Sequence, residues 1–213
     1  SSQSQSPINI EMADASMVEA VKLSFAYNSS KTKAYKVVND GNKIIINGTF
    51  GEMTYGDHPF DAYSIFLHQP SEHTFGPDNV RADFELQILH MDPFGLHSIV
   101  SVLFDASPTD TEGSAFLSAL GLTGANTEPL SVGTPKVIAG LDISSLVSGA
   151  EHYISYIGSI TSPPCTDNVK WFILNKKTSC STDQVNSFAT LFGSGPSVRG
   201  VQPINGRGLS VFQ

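Results

Sequence analysis

Charge is scarce in this sequence. Asp, Glu, Lys and Arg make up only 15% of its 213 residues, against 40% hydrophobic, which excludes an acidic disordered chain and a coiled coil. Basic residues are the scarcer sign, with 12 Lys and Arg against 20 Asp and Glu for a net charge of −8. They are scattered, clustering only at Lys31, Lys33 and Lys36 and at Lys176-Lys177. The dense basic face that nucleic acid demands is missing. Long apolar runs are missing too. The longest, Lys43-Ile-Ile-Ile and Ser98–Phe104, fall far short of the ~20 residues that cross a bilayer as a helix, so direct membrane insertion is not expected.

Cysteine is limited to Cys165 and Cys180. Disulfides are therefore not the scaffold, and a chain of this length buries a core without them. The pair flanks the strand-like run Val169–Leu174. Extended chain at ~3.3 Å per residue argues against a mutual bridge unless the chain doubles back. An upstream partner, an inter-chain bridge and two buried thiols stay open. Low Lys content and abundant Ser, Thr and Gly point to an extracellular or secreted protein. The sequons Asn28-Ser-Ser and Asn47-Gly-Thr make Asn28 and Asn47 glycosylation candidates. The chain opens abruptly at Ser1 without a targeting segment, as expected of a mature product or a partial chain.

Period-two patterns dominate what is present. Val21–Tyr27, Ala34–Val38, Lys43–Tyr55, Ala62–Gln69, Ala82–His90, Leu96–Asp105, Tyr153–Ile160 and Val169–Leu174 read as strands, punctuated by Gly, Pro, Asn and Asp. Two helices are predicted. Thr111–Leu122 ends at Gly121 or Gly124, and Thr182–Phe192 carries a Ser181/Gln184 capping box and stops at Gly193. No repeat or linker interrupts this pattern, so residues 1–213 read as one mostly-β domain with short peripheral helices.

Chemistry concentrates at two strand ends, Ile65-Phe-Leu-His68-Gln-Pro-Ser-Glu72-His73-Thr and Phe84-Glu85-Leu-Gln87-Ile-Leu-His90. If these strands pair, Phe66 and His68 share one face, and Glu85, Gln87 and Leu89 share one face of the neighbour. A metal site from an i, i+2 pair plus one residue of the adjacent strand is geometrically available. Its donors are poor, because a catalytic zinc needs three protein ligands and an open fourth position. Phe66 offers none, the Gln87 amide is a weak match and His68 is one ligand.

The same segments carry a resemblance. Gln5-Ser-Pro-Ile-Asn-Ile10, Pro70-Ser-Glu-His-Thr74, Glu85-Leu-x-x-x-His90, Gly158-Ser-Ile-Thr-Ser-Pro-Pro-Cys165, Val169-Lys-Trp171 and Gln202-Pro-Ile-Asn-Gly-Arg207 resemble, in order and spacing, motifs of the α-class carbonic anhydrases. The resemblance implies one domain with a large, twisted, mainly antiparallel central sheet, from which the extreme N-terminal segment of the family is expected to be missing. It also implies an activity, reversible carbon dioxide hydration by zinc-bound hydroxide on three histidines. Carried over by position, those histidines become Phe66, His68 and Gln87. Ser64 stands where a Gln supports the first ligand, while Glu85 is the carboxylate behind the third and is free to accept from the Gln87 amide. Glu72 and Thr161 match the carboxylate and hydroxyl of a gatekeeping pair. His73 and His90 match residues that hydrogen-bond within the core. No proton-shuttling His appears near Asn42. Leu89 suits the carbon dioxide pocket, and Ser98 reads as a polar replacement in it.

These substitutions predict a catalytically inactive, metal-free module with no cofactor and zinc absent. Its role would be binding, structure or assembly, through an unknown protein or glycan partner or self-association. The rival expectation is a zinc-dependent carbonate dehydratase with substituted ligands, in which His73 or His90 turns inward to join Gln87. A hydrolase using Thr161 or a Ser ranks below both, because no Gly-x-Ser-x-Gly elbow is present.

Overall fold

The computed structural model describes residues 3–19, 21–28, 32–109, 114–122, 130–192 and 198–212. Thirteen strands appear among them: β1 (Asn9–Ile10), β2 (Ala15–Met17), β3 (Leu23–Tyr27), β4 (Ala34–Asn39), β5 (Ile44–Tyr55), β6 (His58–His68), β7 (Thr74–Phe75), β8 (Phe84–Met91), β9 (His97–Ala106), β10 (Lys136–Ala139), β11 (Tyr153–Ser159), β12 (Asp167–Cys180) and β13 (Leu209–Phe212). Ten of them order as β10-β4-β5-β6-β8-β9-β12-β11-β13-β2 in one sheet, with β3 also pairing to β5. Most contacts are antiparallel, whereas β9–β12 and β2–β13 are parallel. β1 and β7 form a separate parallel pair. No helix among the described residues is long and apolar enough to cross a membrane.

Strand periodicity explains the layering. Ile44 and Ile46 of β5, Ile65 and Leu67 of β6, and Leu86 and Ile88 of β8 point into one apolar cluster, closed by Phe116, Leu146 and Phe188 from helices. The opposite face gathers Leu89, Ile99, Trp171 and Ile173 into a second cluster, with Phe66 half-buried beside it. Every residue of β8 but the last is buried, as a strand covered on both faces should be. Polar side chains of β6 and β8 that fall on the second face are therefore desolvated and held next to one another.

The helices are short. α1 (Ala115–Ala119) is capped by Ser114, α2 (Ser144–Val147) has no counterpart in the sequence pattern, and α3 (Thr182–Leu191) carries the full Ser181/Gln184 capping box. Residues 111–113, Gly124 and Gly193 of the expected helix limits lie outside the described residues, and so do Lys31 and the two serines after Asn28. The strand β12 extends well beyond Val169–Leu174 and reaches Cys180, which keeps the two cysteines apart. No disulfide joins them, and Cys180 is buried while Cys165 is half-buried.

Candidate functional site

Strands β6 and β8 pair antiparallel with His68 opposite Glu85, Phe66 opposite Gln87 and Ser64 opposite Leu89. This is the pairing expected from the spacing, and it collects these side chains on the second face of the sheet. The Gly158 backbone packs nearby so closely that a Cβ would lie 2.1 Å from Ser6 Oγ and 2.7 Å from Tyr156 Cε2. Only glycine fits there, and the close approach lets Ser6 and Ser159 exchange hydrogen bonds, N to Oγ, at 3.0 Å each way. The N-terminal Gln5-Ser-Pro motif and the Gly158-Ser motif are thereby locked together behind the site.

Glu85 is the anchor. One carboxylate oxygen accepts from the backbone N–H groups of Glu72 and His73 at 2.9 Å each, and the other accepts from His73 Nδ1 at 2.7 Å and Ser101 Oγ at 2.8 Å. Burial alone would raise its pKa, but the charge and hydrogen bonds of His73 outweigh burial and bring it down to about 2. His73 Nε2 in turn meets the Tyr156 hydroxyl at 2.8 Å, and that hydroxyl meets Ser6 Oγ at 2.7 Å. The chain Glu85–His73–Tyr156–Ser6 is fully satisfied, which is what a buried polar network needs. Ser101, Tyr156 and Ser6 were not singled out in the sequence; the parity of β11 was the available signal for Tyr156.

Glu72 is buried beside this network, only 2% exposed. Gln87 Nε2 donates to Glu72 Oε2 at 2.9 Å and, more weakly, to Glu85 Oε1 at 3.3 Å. The expected Gln87–Glu85 contact is thus secondary to one with Glu72. The Arg199 backbone N–H donates to Glu72 Oε1 at 3.3 Å. The anticipated Thr161–Glu72 pair is not made, since Thr161 Oγ1 is buried without a hydrogen-bond partner. The amide of Gln87 has taken the carboxylate instead. Three further buried atoms lack a hydrogen-bond partner here: both ring nitrogens of His68 and Gln87 Oε1. His68 Nε2 lies 3.6 Å from Glu72 Oε2, an ion-pair distance beyond hydrogen bonding. Burial pushes the His68 pKa down, while Glu72 and Glu85 pull the other way.

Three other expectations are revised. His90 hydrogen-bonds within the core as expected, but on the opposite side of the sheet, where its Nε2 meets the Tyr27 hydroxyl at 2.7 Å, so it does not support the vestigial metal position. Ser98 pairs with His90 and shares that opposite face, and Ile99, opposite Leu89, is the residue that lines the pocket side. Ser64 Oγ turns to Asn47 Oδ1 at 2.9 Å, away from Phe66, which has no polar atom for it to hold.

Beside Phe66 lies a residue the sequence reading passed over. Lys43 is buried, with Nζ 3.0 Å from Ser162 Oγ, 3.2 Å from Asp40 Oδ2 and 5.1 Å from the centre of the Phe66 ring. A cation over an aromatic face is attractive, so Phe66 and Lys43 hold one another in place.

This large sheet with a histidine–carboxylate floor defines a class of fold, and comparison with known proteins gives the family. The sequence profile of the eukaryotic-type carbonic anhydrases matches residues 1–212, and the chain belongs to that family. A carbonic anhydrase from Nostoc sp. is 27% identical over 206 residues, covering 95% of this chain and 74% of the relative. Dioscorin DB3L from Dioscorea polystachya is 25% identical over 186 residues, 85% of this chain and 64% of the relative. The α-carbonic anhydrase of Thermovibrio ammonificans, solved with sulfanilamide, superimposes with a TM-score of 0.84 at 28% identity, covering 98% of this chain and 87% of that one.

Membership corrects the expectation of no cofactor: the relatives are carbonic anhydrases, a zinc-using family, and zinc is the group the pocket must be tested against. The family's three-imidazole arrangement does not fit these residues. Of the three corresponding positions only His68 offers an imidazole, and Phe66 offers no donor atom. Neither His73 nor His90 replaces them, the first having both nitrogens engaged and the second facing away. Among the described residues, no three His, Cys, Asp or Glu side chains converge on one point.

Proposed function

We propose that this chain is a carbonic-anhydrase-family module in which carbon dioxide hydration has been lost, and which serves outside the cell as a binding or assembly domain. The observation that carries the reading is the directly opposed Phe66–Gln87 pair where the family's chemistry calls for two imidazoles. Hydration at neutral pH depends on three ligands that hold an ion and leave it one open position for water. Here one of those ligands is an aromatic ring, and the hydroxyl at Thr161 is not oriented by Glu72. The polar groups on the floor serve instead to fix the sheet, through the Glu85–His73–Tyr156–Ser6 chain.

An extracellular role is supported by the scarcity of Lys and by Asn47, which is exposed on β5 within its sequon. A protein or glycan partner, or a second copy of the chain, is the expected ligand of such a module. Stopped-flow carbon dioxide hydration with zinc supplied tests the catalytic half of the reading. A rate equal to that of buffer supports it, and a chelator-sensitive acceleration overturns it. Sedimentation over a concentration series addresses assembly, and strictly monomeric behaviour removes self-association.

A further inference from the structure

We propose that a cleft beside the N-terminal segment binds a free α-amino acid by its two opposite charges. The cleft encloses about 570 Å³, within the usual range of small-molecule sites. Its walls come from three separated motifs, through Gln5, Cys165 and Asn205, together with Asp167 and Arg199. Phe66, His68, Gln87 and Thr161 take no part in it.

Arg199 and Asp167 line this cleft with opposite charges that do not neutralise one another. Both are half-buried, and neither joins an ion pair among the described residues. A neutral amide stands between them. Arg199 Nη2 donates to Gln5 Oε1 at 2.8 Å, while Gln5 Nε2 donates to Asp167 Oδ1 at 2.7 Å and, more weakly, to Cys165 O at 3.3 Å. A guanidinium only donates, so its contact fixes which end of the Gln5 amide is oxygen. The wall therefore presents a cation to an acceptor and an anion to a donor across one small planar group. An α-amino acid carries the same two functions as full charges, carboxylate and ammonium, at a comparable separation.

Hydrogen-bonding capacity remains on both sides. Besides Gln5, the Arg199 guanidinium donates only from Nη1 to the Ser6 carbonyl, at 2.7 Å, among the described residues. Three of its five N–H groups are left for a carboxylate, whose planar fork they suit. On the other side, Asp167 Oδ2 accepts nothing among the described residues. Gln202 and Asn205 donate through their amide nitrogens to Gly200 O and Gln3 O, at 2.8 Å each, which leaves their side-chain oxygens as further acceptors for an ammonium. An anion alone would leave Asp167 unmatched, and a cation alone would leave Arg199 unmatched. A zwitterion matches both and adds no net charge. Pro164 and Pro203 supply an uncharged stretch of wall for a small side chain.

The test is calorimetric titration of the intact chain with three probes. L-alanine carries both charges, acetate only the carboxylate and ethylamine only the ammonium. Asp167→Asn keeps the size of the side chain and an acceptor for Gln5, and Glu19→Gln removes an exposed carboxylate elsewhere as a control. Wild type should bind one equivalent of L-alanine, with acetate and ethylamine each weaker by roughly tenfold or more. Asp167→Asn should raise the Kd for L-alanine by about tenfold or more and leave that for acetate unchanged, whereas Glu19→Gln should match wild type. Cys165 gives a second readout, since it is half-buried on the cleft wall while Cys180 is buried. L-alanine at ten times its Kd should slow alkylation of Cys165 by iodoacetamide about tenfold. The proposal is overturned if L-alanine does not bind, if acetate binds as tightly, or if labelling of Cys165 is unaffected. An Asp167→Asn variant that binds L-alanine like wild type overturns it too, and if that variant does not fold, the ranking of the probes on wild type decides. The inference is independent of whether hydration has been lost.

Discussion

His90 is a histidine the sequence offers as part of a metal pocket and the fold uses for something else. It is fully buried, its Nε2 meets the Tyr27 hydroxyl, and burial pushes its pKa from 6.5 down to about 3. Between those two values the unfolded chain binds a proton that the folded chain refuses. Stability therefore holds above pH ~6.5 and falls as pH drops toward 3. The loss from this one residue amounts to about 2 kcal/mol between pH 7 and pH 5. Urea unfolding at the two pH values should reveal it, and His90→Gln should shrink the difference by that amount. If the difference is the same in the variant, the imidazole is not the group responsible. Tyr27→Phe makes a companion test: it leaves His90 Nε2 unpartnered and should cost about 1–3 kcal/mol at pH 7.

At the level of strands and helices, parity carries the account. The register that sets Phe66 against Gln87 and His68 against Glu85 predicts a gain of function in binding. Phe66→His combined with Gln87→His places three imidazoles on one face and should tighten zinc at least tenfold over wild type, read by competition with a chromophoric chelator. Unchanged affinity would mean that these side chains do not converge. Gln184 makes a helical counterpart. Its amide accepts from the Ser114 and Ser181 backbone N–H groups at 2.9 and 3.2 Å and donates to Ser114 O and Ser118 Oγ at 2.9 and 3.0 Å, tying α1 to α3. Gln184→Ala should cost about 2–4 kcal/mol by chemical denaturation, far more than the loss of an ordinary cap. A cost below 1 kcal/mol would show the junction to be replaceable. The strands and the capping box were legible in the sequence because alternation and cap chemistry are local. The swap at Glu72 was not, because whether Thr161 or Gln87 reaches that carboxylate depends on how a loop and two strands meet. Ser98 was misassigned for a related reason: one residue of register exchanges the two faces of a strand.

Over the whole molecule, one sheet divides two apolar clusters, and the polar groups that survive between them serve different ends. On one face, Glu85, His73, Tyr156 and Ser6 are fully bonded and hold the N-terminal segment against β11. Beside them lie the His68 ring nitrogens, Gln87 Oε1 and Thr161 Oγ1, buried and without a hydrogen-bond partner. On the reading proposed above, a family scaffold that keeps the first set and leaves the second open retains the support of a catalytic centre while altering the centre itself. The central claim is that this altered centre does not hydrate carbon dioxide. The measurement that bears on it most directly is the initial hydration rate of the wild-type chain in excess zinc, compared with buffer and with a chelator-treated sample. The account predicts three indistinguishable rates. A rate raised by zinc and abolished by the chelator would contradict it.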